Sequence, residues 1–227
     1  MKKKTETKDK KNEKIKKKKK KIKDWLKKKN TKYKISHQKI NLNDIKEWRL
    51  EKNIFLNFKK RHFSVIGLNI NSNCREVKKW DQPIIAGKKM GFAGFITKNY
   101  HGTPHYLCRF ILKPGLKNGK ISCSANFSDI NDFKKNFNIP LYEKKIIEYF
   151  FKRKKYIYNN IHSDEGGRFF QTQIKRVVVN TDKSLNQKSN SKFIWVSHNQ
   201  FLSLIRKQMV DIEARLLFTC FNFDKIL

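Results

Sequence analysis

From residue 54 onward, apolar and polar side chains alternate in short runs, which predicts a fold made mostly of strands. Ile54 to Phe58 reads as one strand. Phe63 to Ile70 reads as another, with Phe63, Val65 and Gly67 on one face and Ile66, Leu68 and Ile70 on the other. Trp80-Asp81-Gln82-Pro83-Ile84-Ile85 is a rigid entry into a strand or sheet edge. Gly91 to Ile96 is a strand with small residues on one side. His101-Gly102-Thr103-Pro104 is a turn, and His105 to Leu112 is a long strand stopped by Pro114-Gly115. Further strands are expected at Ile121 to Phe127, Arg168 to Thr172, Val177 to Asn180 and Phe193 to Val196, with a polar loop from Thr181 to Lys192.

Helical spacing appears in four places. Asn41 or Asn43 caps a short helix carrying Ile45, Trp48 and Leu50 inward. Pro140 opens a helix whose apolar face is Leu141, Ile146, Ile147, Phe150 and Phe151. Ser197 and Gln200 make a capping box for a helix burying Phe201, Leu202 and Ile205. The last helix, Val210 to Phe221, presents Ile212, Leu216, Leu217 and Cys220. The order predicts one α+β domain over residues 35–227.

Residues 1–34 are different. They form a lysine-rich arm in which Ile15, Ile22, Trp25 and Leu26 are too sparse to make a core, so the arm is expected to be disordered or a lone frayed helix. The whole chain carries a formal charge of +35. That charge fits either the codon bias of an AT-rich gene or a functional polycation, and the arm reads as a solvated tail with no specific partner or as a segment that attracts RNA, DNA or an anionic membrane. Cys74, Cys108, Cys123 and Cys220 show no zinc spacing, so no metal is expected and a reduced, cytoplasmic setting is. No apolar run is long enough to span a bilayer.

The densest chemistry lies in Ser163-Asp164-Glu165-Gly166-Gly167-Arg168-Phe169-Phe170-Gln171. Its glycines let the backbone approach a ligand closely, and its arginine can fork onto a phosphate. Locally it reads either as a tight turn with a surface ion pair or as an anion site with an acid/base carboxylate beside it.

This stretch resembles the S-E-E-G-G-R-F-Y/F signature of the NDP-hexose 2,3-dehydratases. Arg75-Glu76-Val77 with Trp80 to Ile85, Gly91 to Phe95, Gly102 with His105, Phe193 to Ser197 with Gln200-Phe201, and Glu213-Ala214-Arg215 resemble further motifs of that family, in the same order. Departures are Ile174-Lys175 where the family has Asn-Arg, Ser124 and Asp129 in place of a Gln and an Asn, and Asp211 in place of an Asn.

The resemblance implies a Nudix-hydrolase-like mixed sheet flanked by helices, present as one copy where the family's enzymes usually have two. The Nudix metal box is missing from the sequence. The implied reaction removes the C2 hydroxyl of a dTDP-4-keto-6-deoxyhexose without a cofactor. The implied catalytic residues are Glu165, then Asp164 and His105. The implied substrate contacts are Arg168, Gly166, Gly167, Trp80, Gln82, Phe169, Phe170, Gln171, Lys175 and Arg215. A homodimer standing in for the two-copy enzyme and a downstream 3-ketoreductase are also expected. The alternative is a non-catalytic nucleotide-sugar-binding unit paired with a sister subunit.

Overall fold

The computed structural model describes residues 21–57, 63–87, 90–128, 141–152, 156–181, 185 and 192–221. Its core is a seven-stranded sheet in the order β12-β6-β5-β11-β9, with β7 beside β6 and β8 beside β5. The strands are β5 (Gly91–Tyr100), β6 (Thr103–Ile111), β7 (Lys120–Ser122), β8 (Ala125–Phe127), β9 (Tyr158–Ser163), β11 (Gln173–Asn180) and β12 (Phe193–Ser197). β11 runs parallel to β5, and the other pairings are antiparallel.

Alternation along these strands feeds two apolar layers. Ala93, Phe95, Tyr106 and Val178 pack with residues of α1 (residues 21–32), α3 (His198–Arg206) and α4 (Ile212–Thr219). Phe92, Ile96, Leu107 and Val177 pack with Ile146, Ile147 and Phe150 of α2 (Leu141–Phe151). The fold is therefore α+β, with helices on both faces of a mixed sheet.

The second sheet has five strands in the order β1-β2-β3-β4-β10. These are β1 (Trp48–Glu51), β2 (Ile54–Asn57), β3 (Ser64–Asn71), β4 (Lys79–Ala86) and β10 (Phe169–Phe170). Among the described residues of these strands only Asn57, Ser64 and Ile84 are buried.

Several expectations are corrected. The helix expected to carry Ile45, Trp48 and Leu50 is a 3-10 turn, Leu42–Asp44, followed by β1. Lys52 and Asn53 both adopt positive φ (49° and 62°), the geometry of a tight hairpin turn, and so join β1 to β2. The hairpin places Trp48 5.3 Å from both the Phe55 and Phe63 rings and leaves Leu50 71% exposed.

The single strand expected at Ile121 to Phe127 is two. Between them the Ser124 hydroxyl accepts from the Ile96 amide (2.8 Å) and donates to the Leu107 carbonyl (2.5 Å). It thus bridges the place where β5 and β6 part. Leu141 and Phe151 lie outside the buried face of α2. On α4 the buried residues are Ala214, Leu217 and Phe218, while Ile212 and Leu216 are exposed.

The arm also packs more than its composition suggests. Ile22 and Leu26, one turn apart on α1, are buried in the core, and Trp25 and Tyr33 lie against Phe110. Two apolar residues are enough because the sheet supplies the other side of the contact. The Pro140 helix start and Asp129 lie outside the described residues, as does most of the Thr181 to Lys192 loop.

Candidate functional site

The glycine-arginine loop bridges the two sheets. It leaves the core sheet at Ser163, which pairs with Gln173 of β11. It enters the open sheet at Phe169, which pairs in parallel with Ile85 of β4. Crossing in so few residues requires a sharp turn, and Gly167 takes φ +83°, a value a side chain would strain. The turn is closed by bonds from the Phe169 amide to the Glu165 carbonyl (3.2 Å) and from the Asp164 amide to the Thr172 carbonyl (2.8 Å).

Two side chains of β4 reach the loop. The Trp80 indole donates to Gln82 Oε1 (2.8 Å), and Gln82 Nε2 donates to the Gly167 carbonyl (2.9 Å). A groove of about 420 Å³ over β3 and β4 includes Leu68, Asn69, Gln82 and Pro83 in its wall, so it adjoins the loop through Gln82. On the loop, Arg168 donates to Glu165 Oε2 and sits 5.7 Å from the Phe169 ring centre. Both members of that ion pair are open to solvent, with side chains 62% and 52% exposed. The pair is therefore weak and available to a ligand.

Behind the loop lies a buried charge pair. Arg176 of β11 donates to Glu213 of α4 at 3.2 Å, with side chains only 5% and 16% exposed. Burial pushes the Glu213 carboxyl up; Arg176 opposes this, and the nearby Asp164 adds to it. Arg176 Nε is buried with no hydrogen-bond partner among the described residues. The arrangement can bind an anion at Arg168 and offers carboxylates at Asp164 and Glu165, with the Glu213 carboxyl, its pKa raised by burial, behind them.

The structure thus gathers Trp80, Gln82, Asp164, Glu165, Gly166, Gly167, Arg168 and Phe169 at the loop. Phe170 ends β10 against Ala86, and Gln171 turns the chain back with φ +49°.

Three expected residues fall elsewhere. His105 pairs with Lys98 on β5, while the loop end of β11 pairs with Gly91, so seven residues of strand, about 23 Å, separate them. Its Nδ1 lies 2.9 Å from the Thr103 carbonyl. Lys175 alternates with Arg176 and so projects to the α2 face, beside Phe92 and Ile161. Arg215 is exposed, about 200° around α4 from Glu213. Glu213 takes Arg176 as its partner.

Arg176 was missed by sequence reading. Its signal was a charge on a strand that runs straight into Val177-Val178-Val179. The departure at Asp211 is also compensated: its carboxylate is buried, pairs with Lys113 (3.0 Å) and accepts from the Ser122 hydroxyl (3.3 Å). Among the described residues no group of three or more His, Cys, Asp or Glu is placed to hold a metal. None of the described helices is long and apolar enough to cross a membrane.

Comparison with known proteins agrees with the motif order. A family model described as NDP-hexose 2,3-dehydratase matches residues 19–221. The dTDP-4-dehydro-6-deoxy-alpha-D-glucopyranose 2,3-dehydratase of Amycolatopsis orientalis is 24% identical over 203 residues, covering 87% of this chain and 42% of its own length. Enzymes of the same description from Streptomyces violaceoruber (26% over 167 residues, 70% and 36%) and Saccharopolyspora spinosa (24% over 203 residues, 85% and 40%) are also similar. The chain therefore spans well under half the length of these relatives. A solved structure of an ADP compounds hydrolase aligns over 77% of this chain and 92% of its own, at 12% identity and a TM-score of 0.40, too low to carry an argument about the fold. The family match takes in both sheets, α1 through α4 and the bridging loop, and the chain belongs to the NDP-hexose 2,3-dehydratase family.

Proposed function

We propose that the bridging loop binds the diphosphate and sugar of a dTDP-4-keto-6-deoxyhexose and that the C2 hydroxyl leaves there as water. The observation that carries this reading is the exposed Arg168–Glu165 pair on a glycine turn held by the Trp80–Gln82 relay, with the Glu213 carboxyl behind it on α4. The C4 ketone acidifies the C3–H bond. Glu165 takes that proton, and the electron pair forms an enediolate. The electrons then expel the C2 oxygen, which receives a proton from Glu213 and departs as water. The remaining enol tautomerises to a C3 ketone, giving the 3,4-diketo-2,6-dideoxy sugar nucleotide. The change is redox-neutral and calls for no external hydride acceptor.

In this reading Arg168 exchanges Glu165 for the diphosphate, which frees the carboxylate for the sugar. Gly166 and Gly167 admit the ligand close to the backbone, and the Trp80–Gln82 relay fixes the Gly167 carbonyl. His105, Lys175 and Arg215 have no part in it. The product is a reactive vicinal diketone, so a 3-ketoreductase that consumes it, and a cytoplasmic setting, complete the proposal.

Incubation with dTDP-4-keto-6-deoxyglucose and a diketone trap, read by mass spectrometry, tests it. Loss of one water from the sugar nucleotide is expected, and it should disappear in Glu165→Gln. Absence of that loss, with catalytic quantities of folded protein, overturns the lyase reading.

A second reading has its own support. Arg168 and Glu165 are exposed, and among the described residues the five-stranded sheet that takes one end of their loop is left largely uncovered. A homodimer or a sister subunit would complete the site. In that case the chain alone binds dTDP without turnover.

A further inference from the structure

Away from the bridging loop, three segments meet around a cavity of about 660 Å³. They are α1, the connection between β6 and β7, and the connection between α3 and α4. Five lysines line it: Lys23 and Lys27 from the first, Lys117 and Lys120 from the second, and Lys207 from the third. No carboxylate is among its lining residues. Leu26, Leu116 and Met209 give it an apolar component, and Asn118 and Gln208 add amides.

The walls are fixed by the backbone. The Gly119 amide donates to Asn30 Oδ1 of α1 (2.7 Å), the Gly115 amide to His37 Nε2 (2.9 Å) and the Ile121 amide to the Met209 carbonyl (2.9 Å). Gly115 holds φ +81°, and a Cβ on Gly119 would strike the Phe110 ring at 2.2 Å. These constraints gather like charges from distant parts of the chain into one concavity, an arrangement that an anion stabilises. In sequence, residues 1–20, ahead of α1, hold 12 lysines against three acidic residues, a net of +9.

We propose that this cavity is a binding site for single-stranded nucleic acid. Phosphodiesters lie along the lysines, and one unstacked base enters the apolar and amide-lined interior. A duplex keeps its bases stacked inside and presents no base to such a cavity. A bilayer headgroup plane is flat and does not follow a concavity between three segments. The site lies apart from the residues assigned to sugar-nucleotide chemistry and does not depend on that reading.

The test is fluorescence anisotropy of the full chain with a short labelled oligouridylate and the matching oligodeoxyuridylate, over a range of KCl concentrations. The triple variant Lys27→Gln/Lys117→Gln/Lys120→Gln keeps the lysines of residues 1–20. It should bind about tenfold or more weakly, with the log-affinity against log-salt slope shallower by about 2, near 0.7 per lost phosphate contact. Arginine at the same three positions should restore both. dTDP binding should be unchanged in the variant, which separates this site from the bridging loop. Equal ribose and deoxyribose affinities assign recognition to the phosphodiester chain; a preference for oligouridylate assigns part of it to the 2′-hydroxyl. Wild-type affinity and slope in the triple variant overturn the proposal, because the N-terminal lysines alone then account for binding. Displacement of the oligonucleotide by phosphatidylserine vesicles, with the triple variant losing vesicle binding equally, overturns it in favour of a membrane surface.

Discussion

The two sheets solve different problems with the same residue types. On β5 the first seven residues, Gly91 to Thr97, are all buried, because helices cover both faces of the core sheet. On β3 of the open sheet, Ile66, Leu68 and Ile70 alternate as regularly as any core strand and yet remain half-buried. Alternation specifies which face a side chain takes; it does not specify that anything lies against that face. The core sheet carries packed helices on both faces. The open sheet offers an apolar surface and holds one end of the bridging loop, which ties its fate to the candidate site.

The largest expected effect tests that contrast directly. Tyr106 and Phe95 are fully buried beneath α3 and α4, so Phe95→Ala should cost about 3–5 kcal/mol in urea unfolding. Leu50→Ala on the open sheet should stay within about 0.5 kcal/mol. Comparable losses at the two positions would mean the open sheet is packed as tightly as the core and would end the comparison. Next in size is Arg176→Ala, which strands the Glu213 carboxylate in a buried place and should cost about 3 kcal/mol. The double replacement Arg176→Met/Glu213→Leu should recover most of that loss. Failure to recover would show that the pair is held by more than its mutual charge.

Strands were legible in the sequence because period-two alternation is local. The partition of those strands into two sheets was not, because it depends on which strand the short β10 meets. Two aromatic residues after a glycine turn carry no signal that they pair in parallel with Ile85 and Ala86. The bridging loop was legible as a cluster of chemistry, and its members do sit together. Arg176 was hidden because the sequence offers no sign that a charged residue two positions from Ile174 faces a helix carrying Glu213. The same long-range geometry removed His105, whose neighbour in sequence space, Gly102, ends a hairpin at the far end of β5. Ile22 and Leu26 were discounted for the same reason: the core they join is built from strands and helices far along the chain.

If the open sheet is a docking face, charges placed on it should act on association and not on folding. Leu50→Lys/Ile54→Lys should leave the unfolding midpoint nearly unchanged and weaken self-association at least about tenfold by light scattering. A wild-type chain that is monomeric at micromolar concentration removes the homodimer and leaves the sister subunit as the docking partner. A smaller effect is expected at the junction of sheet and loop. Gln82→Ala removes the bond to the Gly167 carbonyl, worth about 1 kcal/mol, and should weaken dTDP binding a few-fold while leaving the core sheet's stability intact. An unchanged dTDP affinity would detach the open sheet from the site.

The subtlest prediction concerns pH and the buried side of the loop. Burial favours the protonated form of Glu213 more than Arg176 favours the ionised form, so its folded pKa lies above the unfolded one. A raised carboxyl contributes stability that is fully present below its unfolded pKa and is lost as pH rises through the folded value. Wild type and Glu213→Gln should therefore diverge as pH climbs from about 4 to 7, the wild type losing the more stability of the two. Urea midpoints taken across that window give the sign. If the divergence runs the other way, Arg176 has the stronger hold and the carboxyl is depressed. Glu213 would then be a fixed counter-charge, and the proton for the leaving hydroxyl would have to come from the exposed half of the loop.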